Sequence, residues 1–373
     1  MTSRQALRIR EMVKKEFRQL LRDPRTRAII FVSPIIQLLM FGYAVNTDIR
    51  HTATFVVDHD ATAASRRLID AVTASGYFDI TGRSQRPADL VKALDHGDAL
   101  VGIEIPAGFA RELALGRADV QIVVDGTESN SATVAQGYIQ RIVREFALGY
   151  AVGADASAAG IDFRARAWYN PNLESRVYNV PAVIGMLIML MCLLLTALAV
   201  VRERELGTLD QLRVSPLSPT ELMLGKTLPV AVVALVDLVA VTLLAIVWFE
   251  VPMRGAPLAV LTAAVLYILS GLAIGLLIST VSKTQQEAFL SMFLFFQPAI
   301  ILSGFFYPIE SMPRIFQWLT VLNPVRHFLE IIRAVFLKGA GFGTLWPQYL
   351  ALLALAAVVL GLAIVRFPRS MAS

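Results

Sequence analysis

Six apolar runs constrain this chain more than any other feature. They cover 28–46, 181–201, 227–248, 257–280, 287–306 and 345–365. A helix of about 20 apolar residues crosses the hydrocarbon core of a bilayer. Only 17% of the 373 residues are charged, and the mean hydropathy is +0.60. A soluble chain of this length exposes more charge. The expected fold class is an α-helical polytopic membrane protein with six transmembrane helices. Between the first and second spans, residues 47–180 form a polar block with a pattern of its own.

The first run reads as a retained span. Nine Lys/Arg residues within 1–27 precede it, whereas the basic region of a signal peptide is short, and no small-residue cleavage site follows. Orientation follows from basic residues in short segments. With the N-terminus inside, the pieces 1–27, 202–226, 281–286 and 366–373 hold sixteen Lys/Arg, against five in 249–256 and 307–344. Both termini are therefore expected in the cytoplasm. The net charge of +5 needs no other explanation, and basic residues dispersed around span ends are a weak basis for nucleic-acid binding. Cys192 is the sole cysteine, so no internal disulfide forms. His51, His59, His96 and His327 are scattered, with no Cys/His cluster for a metal.

Residues 4–22 place Leu7, Ile9, Met12, Val13, Phe17, Leu20 and Leu21 at helical spacing, with basic residues on the other face. That pattern predicts an amphipathic helix lying on an anionic leaflet, broken at Asp23-Pro24 before the span 28–46. The block 47–180 alternates strands (52–58, 78–81, 99–106, 119–126) with helices (61–75, 86–97, 107–116, 129–150), and an inserted external α/β domain is expected there. Asp58, Asp60 and Asp125 end strands, where aspartate either binds an ion or shapes a turn.

Within 181–373, the segment 202–226 reads RERELGTLDQLRVSPLSPTELMLGK. Thr208 opens a short apolar helix carrying Leu206, Leu209 and Leu212, which Ser215-Pro216 ends. Ser218-Pro219-Thr220-Glu221 is a capping box that starts the next helix. The result is a rigid elbow with an apolar knuckle, either received by a partner or simply solvated. Gly225-Lys226-Thr227 looks like the end of a phosphate loop, but Thr220 stands where that motif needs its first glycine, and no strand precedes it. No ATP site is expected in this chain.

Asp237 lies mid-span, where a carboxylate faces protein or water. Gly271 and Gly275 form a small-residue packing pair, for the chain's own core or for a dimer. Gln297-Pro298 is expected to break the fifth span. The segment 307–339 is too interrupted to cross, and short helices at 315–319 and 325–337 are expected to dip into the outer leaflet. Arg326 and Glu330, four apart, are spaced to pair.

RERELGTLDQLRVSPLSPTELMLGK resembles the first cytoplasmic loop of the ABC type-2 family of exporter permeases. The segment 307–339 is similar to that family's region after the fifth span, through Pro308, Met312-Pro313, Asn323-Pro324, Arg333 and Lys338-Gly339. One span, a large external domain and five more spans resemble the plan of the bacterial efflux branch. The resemblance implies a permease in the bacterial inner membrane, exporting a drug or lipid-like molecule. ATP and magnesium would be bound by a separate ATPase subunit. It implies that Glu203, Glu205, Gly207, Thr208, Leu209 and Leu212 couple to that ATPase, and that Pro308, Asn323, Pro324, Arg326, Glu330 and Arg333 stand near an external gate; Asp237 and Gln297 are the polar intramembrane candidates by their own positions in the apolar runs. It further implies a second permease half, identical or similar, and a periplasmic adaptor. A membrane sensor signalling through 202–226 is the alternative; ATP-dependent movement of a substrate separates the two.

Overall fold

The computed structural model describes residues 3–44, 51–125, 129–152, 174–207 and 217–372. The chain divides into two compact units, one of Met1–Asn46 with Trp168–Ser373 and one of Thr47–Ala167.

The larger unit begins with α1 (Ser3–Arg22), whose Ile9, Met12 and Glu16 are buried while Arg10, Lys14, Lys15, Arg18 and Arg22 are exposed. A short α2 (Pro24–Arg27) leads through a π-helical turn, Ala28–Val32, into α3 (Ser33–Ala44). Pro34 has no amide proton for the regular helical ladder, which accounts for the wider turn just before it.

The second unit holds β1 (Thr52–Asp58), α4 (Ala63–Ala74), β2 (Phe78–Ser84), α5 (Pro87–Asp95), β3 (Val101–Ile105), α6 (Phe109–Ala114), β4 (Gln121–Val124) and α7 (Ser129–Val152). The sheet order is β2-β1-β3-β4, with β1 parallel to both neighbours and β3 antiparallel to β4. The core joins Val56, Phe78 and Ile103 of the strands to Leu68, Phe109 and Ile139 of the helices. Gly97 and Gly116 take positive φ just beyond helix ends, which favours glycine there. Asp58 accepts from the amides of Asp60 and Ala61 at 3.0 and 2.9 Å and from Ser65 Oγ at 2.7 Å. Asp60 accepts from the amides of Gly108 and Ala110 at 2.9 and 3.1 Å. Both aspartates therefore shape turns.

The larger unit resumes with α8 (Ser175–Glu205), α9 (Pro219–Val247), α10 (Pro257–Val281), α11 (Gln285–Ile301), α12 (Arg314–Thr320), α13 (Pro324–Arg333) and α14 (Phe342–Ala372). Among the described residues, α8, α9, α10 and α14 are long and apolar enough to cross a membrane, and the protein is a multi-pass membrane protein. The apolar stretch Ala28–Tyr43 is shorter. At 17 residues, α11 measures about 26 Å against a hydrocarbon core of about 30 Å. Pro298 does not break α11 where it stands; the helix runs on to Ile301 and ends three residues beyond it. The second apolar run starts its helix at Ser175, before 181.

Helix α8 is central and buried along most of its length. A Cβ on Gly271 would lie 2.9 Å from Cys192 Cβ, and one on Gly275 would lie 2.9 Å from Thr196 Cβ. The pair thus packs α10 on α8 within this chain. Tyr267 Oη donates to the Gly185 carbonyl at 2.9 Å, and its ring stacks on Phe328 at 4.2 Å.

Candidate functional site

Successive residues on a helix point about 100° apart, and the end of α8 uses this. Glu203 turns inward and is 4% exposed. Its Oε1 accepts from Lys226 Nζ at 2.9 Å and from Lys15 Nζ at 3.3 Å. Arg204 Nη1 donates to the Ser282 carbonyl at 2.7 Å. Glu205 accepts from the Gln285 amide at 2.8 Å and from Gln285 Nε2. These two bonds, the side-chain one first, hold the exposed Glu205 carboxyl below the usual carboxylate range. Three consecutive side chains thus tie α8 to α1 and α9, to the end of α10, and to the start of α11.

Gly207 closes α8 with φ +71°, the left-handed conformation that glycine adopts freely. Thr208, Leu209 and Leu212, with Ser215-Pro216, lie outside the described residues. The capping box forms as the spacing predicts. Ser218 Oγ accepts from the Glu221 amide at 3.2 Å, and the Ser218 amide donates to Glu221 Oε2 at 2.7 Å. Glu221 also stands 3.5 Å from Arg8 of α1.

Lys226 is 2% exposed. Its ammonium donates to Glu203, to Glu16 at 3.3 Å and to the Ala199 carbonyl at 3.0 Å, three acceptors for three protons. Lys15, half exposed, completes a balanced set of two cations and two anions. At Gly225 a Cβ would lie 2.4 Å from Met12 Cγ. Gly225-Lys226 therefore holds α1 against α9 and α8. The sequence showed that this tripeptide is no phosphate loop, but not its partners, because Glu16 lies 210 residues away.

Asp237 is 3% exposed on α9, and its Oδ2 has no hydrogen-bond partner among the described residues. Gln297 is exposed on α11, whereas Asp237 is buried. The 31 residues of α8 separate its two ends by about 46 Å along its axis. At the Ser175 end stand the residues expected at a gate. Asn323 caps α13 through the Val325 amide at 3.1 Å, and its Nδ2 donates to the Ala299 carbonyl at 2.6 Å. Pro324 takes the first turn of α13, and Pro308 precedes a short 3₁₀ turn, Ile309–Ser311. The expected Arg326–Glu330 pair does not form. Arg326 Nη1 donates to Thr320 Oγ1 and to the Gln317 carbonyl, while Glu330 accepts from Gln348 Nε2. Tertiary neighbours from α12 and α14 lie closer than the residue one turn along. Arg333 donates Nη1 to the Gly304 carbonyl at 2.9 Å, with its Cζ 3.8 Å over the Tyr178 ring.

Residues 24–365 match the family described as ABC-2 family transporter protein. The chain is 34% identical over 363 residues to the probable multidrug ABC transporter permease YbhR of Escherichia coli, covering 97% of this chain and 98% of that protein. It is 31% identical to the probable multidrug ABC transporter permease YbhS of the same organism, covering 95% of each. It is 30% identical to the inner membrane transport permease YhhJ of Escherichia coli, over 95% of this chain and 96% of that protein.

Proposed function

From the premise that this chain belongs to the ABC-2 family of transporter proteins, we infer that it is the membrane subunit of an ATP-driven exporter. The observation that carries the mechanism is the buried cluster of Lys226, Glu203 and Glu16. It locks α1, the end of α8 and the start of α9 into one body at the two edges of the 202–226 segment. A push on that segment then moves two long helices together rather than deforming a loop, because packed cores shift as discrete bodies.

In this proposal the ATPase is a separate polypeptide that holds ATP and magnesium and receives Leu209 and Leu212. Six spans, with α3 and α11 as the shorter two, sit in the bacterial inner membrane with both termini in the cytoplasm. The 47–167 unit faces outward and is the surface for a periplasmic adaptor. A second permease half, from the same or a similar chain, completes the pathway. The transported molecule is hydrophobic or amphipathic, in keeping with the aliphatic helices and with the word multidrug in the relatives' names.

Co-expression with candidate ATPases, followed by purification and assay of ATP hydrolysis, tests this reading. An ATPase that copurifies with the wild type and is lost with Leu209→Asp and Leu212→Asp, the permease remaining folded, is the expected result. Unchanged binding in both variants would overturn the assignment of that segment.

A further inference from the structure

At the Ser175 end of α8, a cavity of about 520 Å³ opens between α8, α13 and the start of α14. Pockets of about 300–1,000 Å³ hold small-molecule ligands. Ile309, Leu329, Leu337 and Leu345 make its apolar wall, while Arg326, Glu330 and Arg333 bring charge to it. Glu310 and Lys338, one of each sign, are exposed at its rim.

The hydrogen-bond count of the inner charges is uneven. Glu330 is engaged by Gln348, and Arg326 by Thr320 and the Gln317 carbonyl, which leaves Arg326 Nε as its one buried nitrogen without a partner among the described residues. Arg333 is held on two sides, by the Gly304 carbonyl at Nη1 and by the Tyr178 ring against its plane. Its Nε and Nη2 are buried and have no hydrogen-bond partner among the described residues. Those two groups form the side-on fork of a guanidinium, the edge that grips both oxygens of a carboxylate or phosphate. Buried donors left unmade are costly, and a fork fixed in orientation loses little freedom when it binds.

We propose that this cavity binds an amphipathic anion, with its carboxylate or phosphate on the Arg333 fork and its apolar body along Leu329, Leu337 and Leu345. The ligand is either a phospholipid of the surrounding leaflet or a molecule that the protein carries; the head-group chemistry is shared. The site is remote from the 202–226 segment, and its occupancy requires neither nucleotide nor a partner chain.

The test uses the purified full chain in a neutral detergent, with equilibrium dialysis of radiolabelled decyl phosphate and decanoate. Decanol and decyltrimethylammonium serve as controls. The expected result is one saturable site per chain for the two anions and none for the controls, with affinity at least tenfold weaker in Arg333→Gln. Because that variant also loses the bond to Gly304, Leu337→Trp fills the cavity and leaves the fork intact, and it too should lose binding. Equal binding of decanol, or full binding in Leu337→Trp, would overturn the proposal. Inorganic phosphate competing as well as decyl phosphate would refute the amphipathic class. In nanodiscs, displacement of the probe by phosphatidylglycerol but not phosphatidylcholine would identify a leaflet lipid. Probe binding unaffected by either lipid would identify a carried molecule, and both results support the site.

Discussion

Replacing Lys226 by methionine removes the ammonium that three helices share and keeps an apolar stem of similar length. Glu203 and Glu16, 4% and 6% exposed, would then face each other with Lys15 as their remaining cation. Orphaning a buried ion-pair partner costs about 3–5 kcal/mol. Lys15 is half exposed and lies 3.3 and 3.7 Å from the two carboxylates, so the lower end of that range is expected. The assay is reversible unfolding of the purified chain in mixed micelles titrated with dodecyl sulfate. Adding Glu203→Gln and Glu16→Gln to Lys226→Met should recover most of the loss, since neutral replacement of a buried ionic cluster is often close to neutral. A loss below about 1 kcal/mol for Lys226→Met, the range of exposed pairs, would refute the buried-latch reasoning. So would a triple variant as unstable as the single one. In the assembled transporter, the neutral triple variant should hydrolyse ATP with reduced transport per ATP, because the latch that keeps α1, α8 and α9 together is weakened.

Gly225→Val should loosen α1, since any Cβ there meets Met12, and adding Met12→Ala should restore part of the loss; limited proteolysis within residues 3–22 reads both. Gly271→Val and Gly275→Val should each destabilise the fold by about 1–3 kcal/mol through overpacking against α8, measured by the same micelle titration. Were the pair a dimer contact alone, the variants would change oligomeric state and leave monomer stability intact. Glu205 is held below the usual carboxylate range by Gln285, so its contribution is present above its unfolded value and is lost as pH falls through its lower folded one. The stability difference between wild type and Gln285→Ala should therefore shrink on acidification past that range; a difference that grows would refute the assignment.

Residue spacing carried the local features. The box at Ser218 and Glu221 involves residues three apart, and the glycines at 97 and 116 end helices whose periodicity is visible nearby. The apolar runs marked the long helices because the length needed to cross a bilayer is set by its thickness. Strand and helix alternation in 52–152 was equally legible, since each element has its own period. The same local logic failed at Arg326 and Glu330. Their four-residue spacing permits a pair, but Thr320 and Gln348, brought in by α12 and α14, claim the groups.

What the sequence by itself determined was the membrane class, the order of the elements and the caps at their ends, all of which depend on neighbours within a few residues. Only the tertiary structure decided that Lys226 joins Glu16 to Glu203, that Gly271 and Gly275 serve this chain's own core, and that Arg333 is held between the Gly304 carbonyl and the Tyr178 ring beside a cavity. A buried charge is stable only where its partners converge, and convergence of residues up to 210 positions apart is a property of helix packing, which no local pattern encodes.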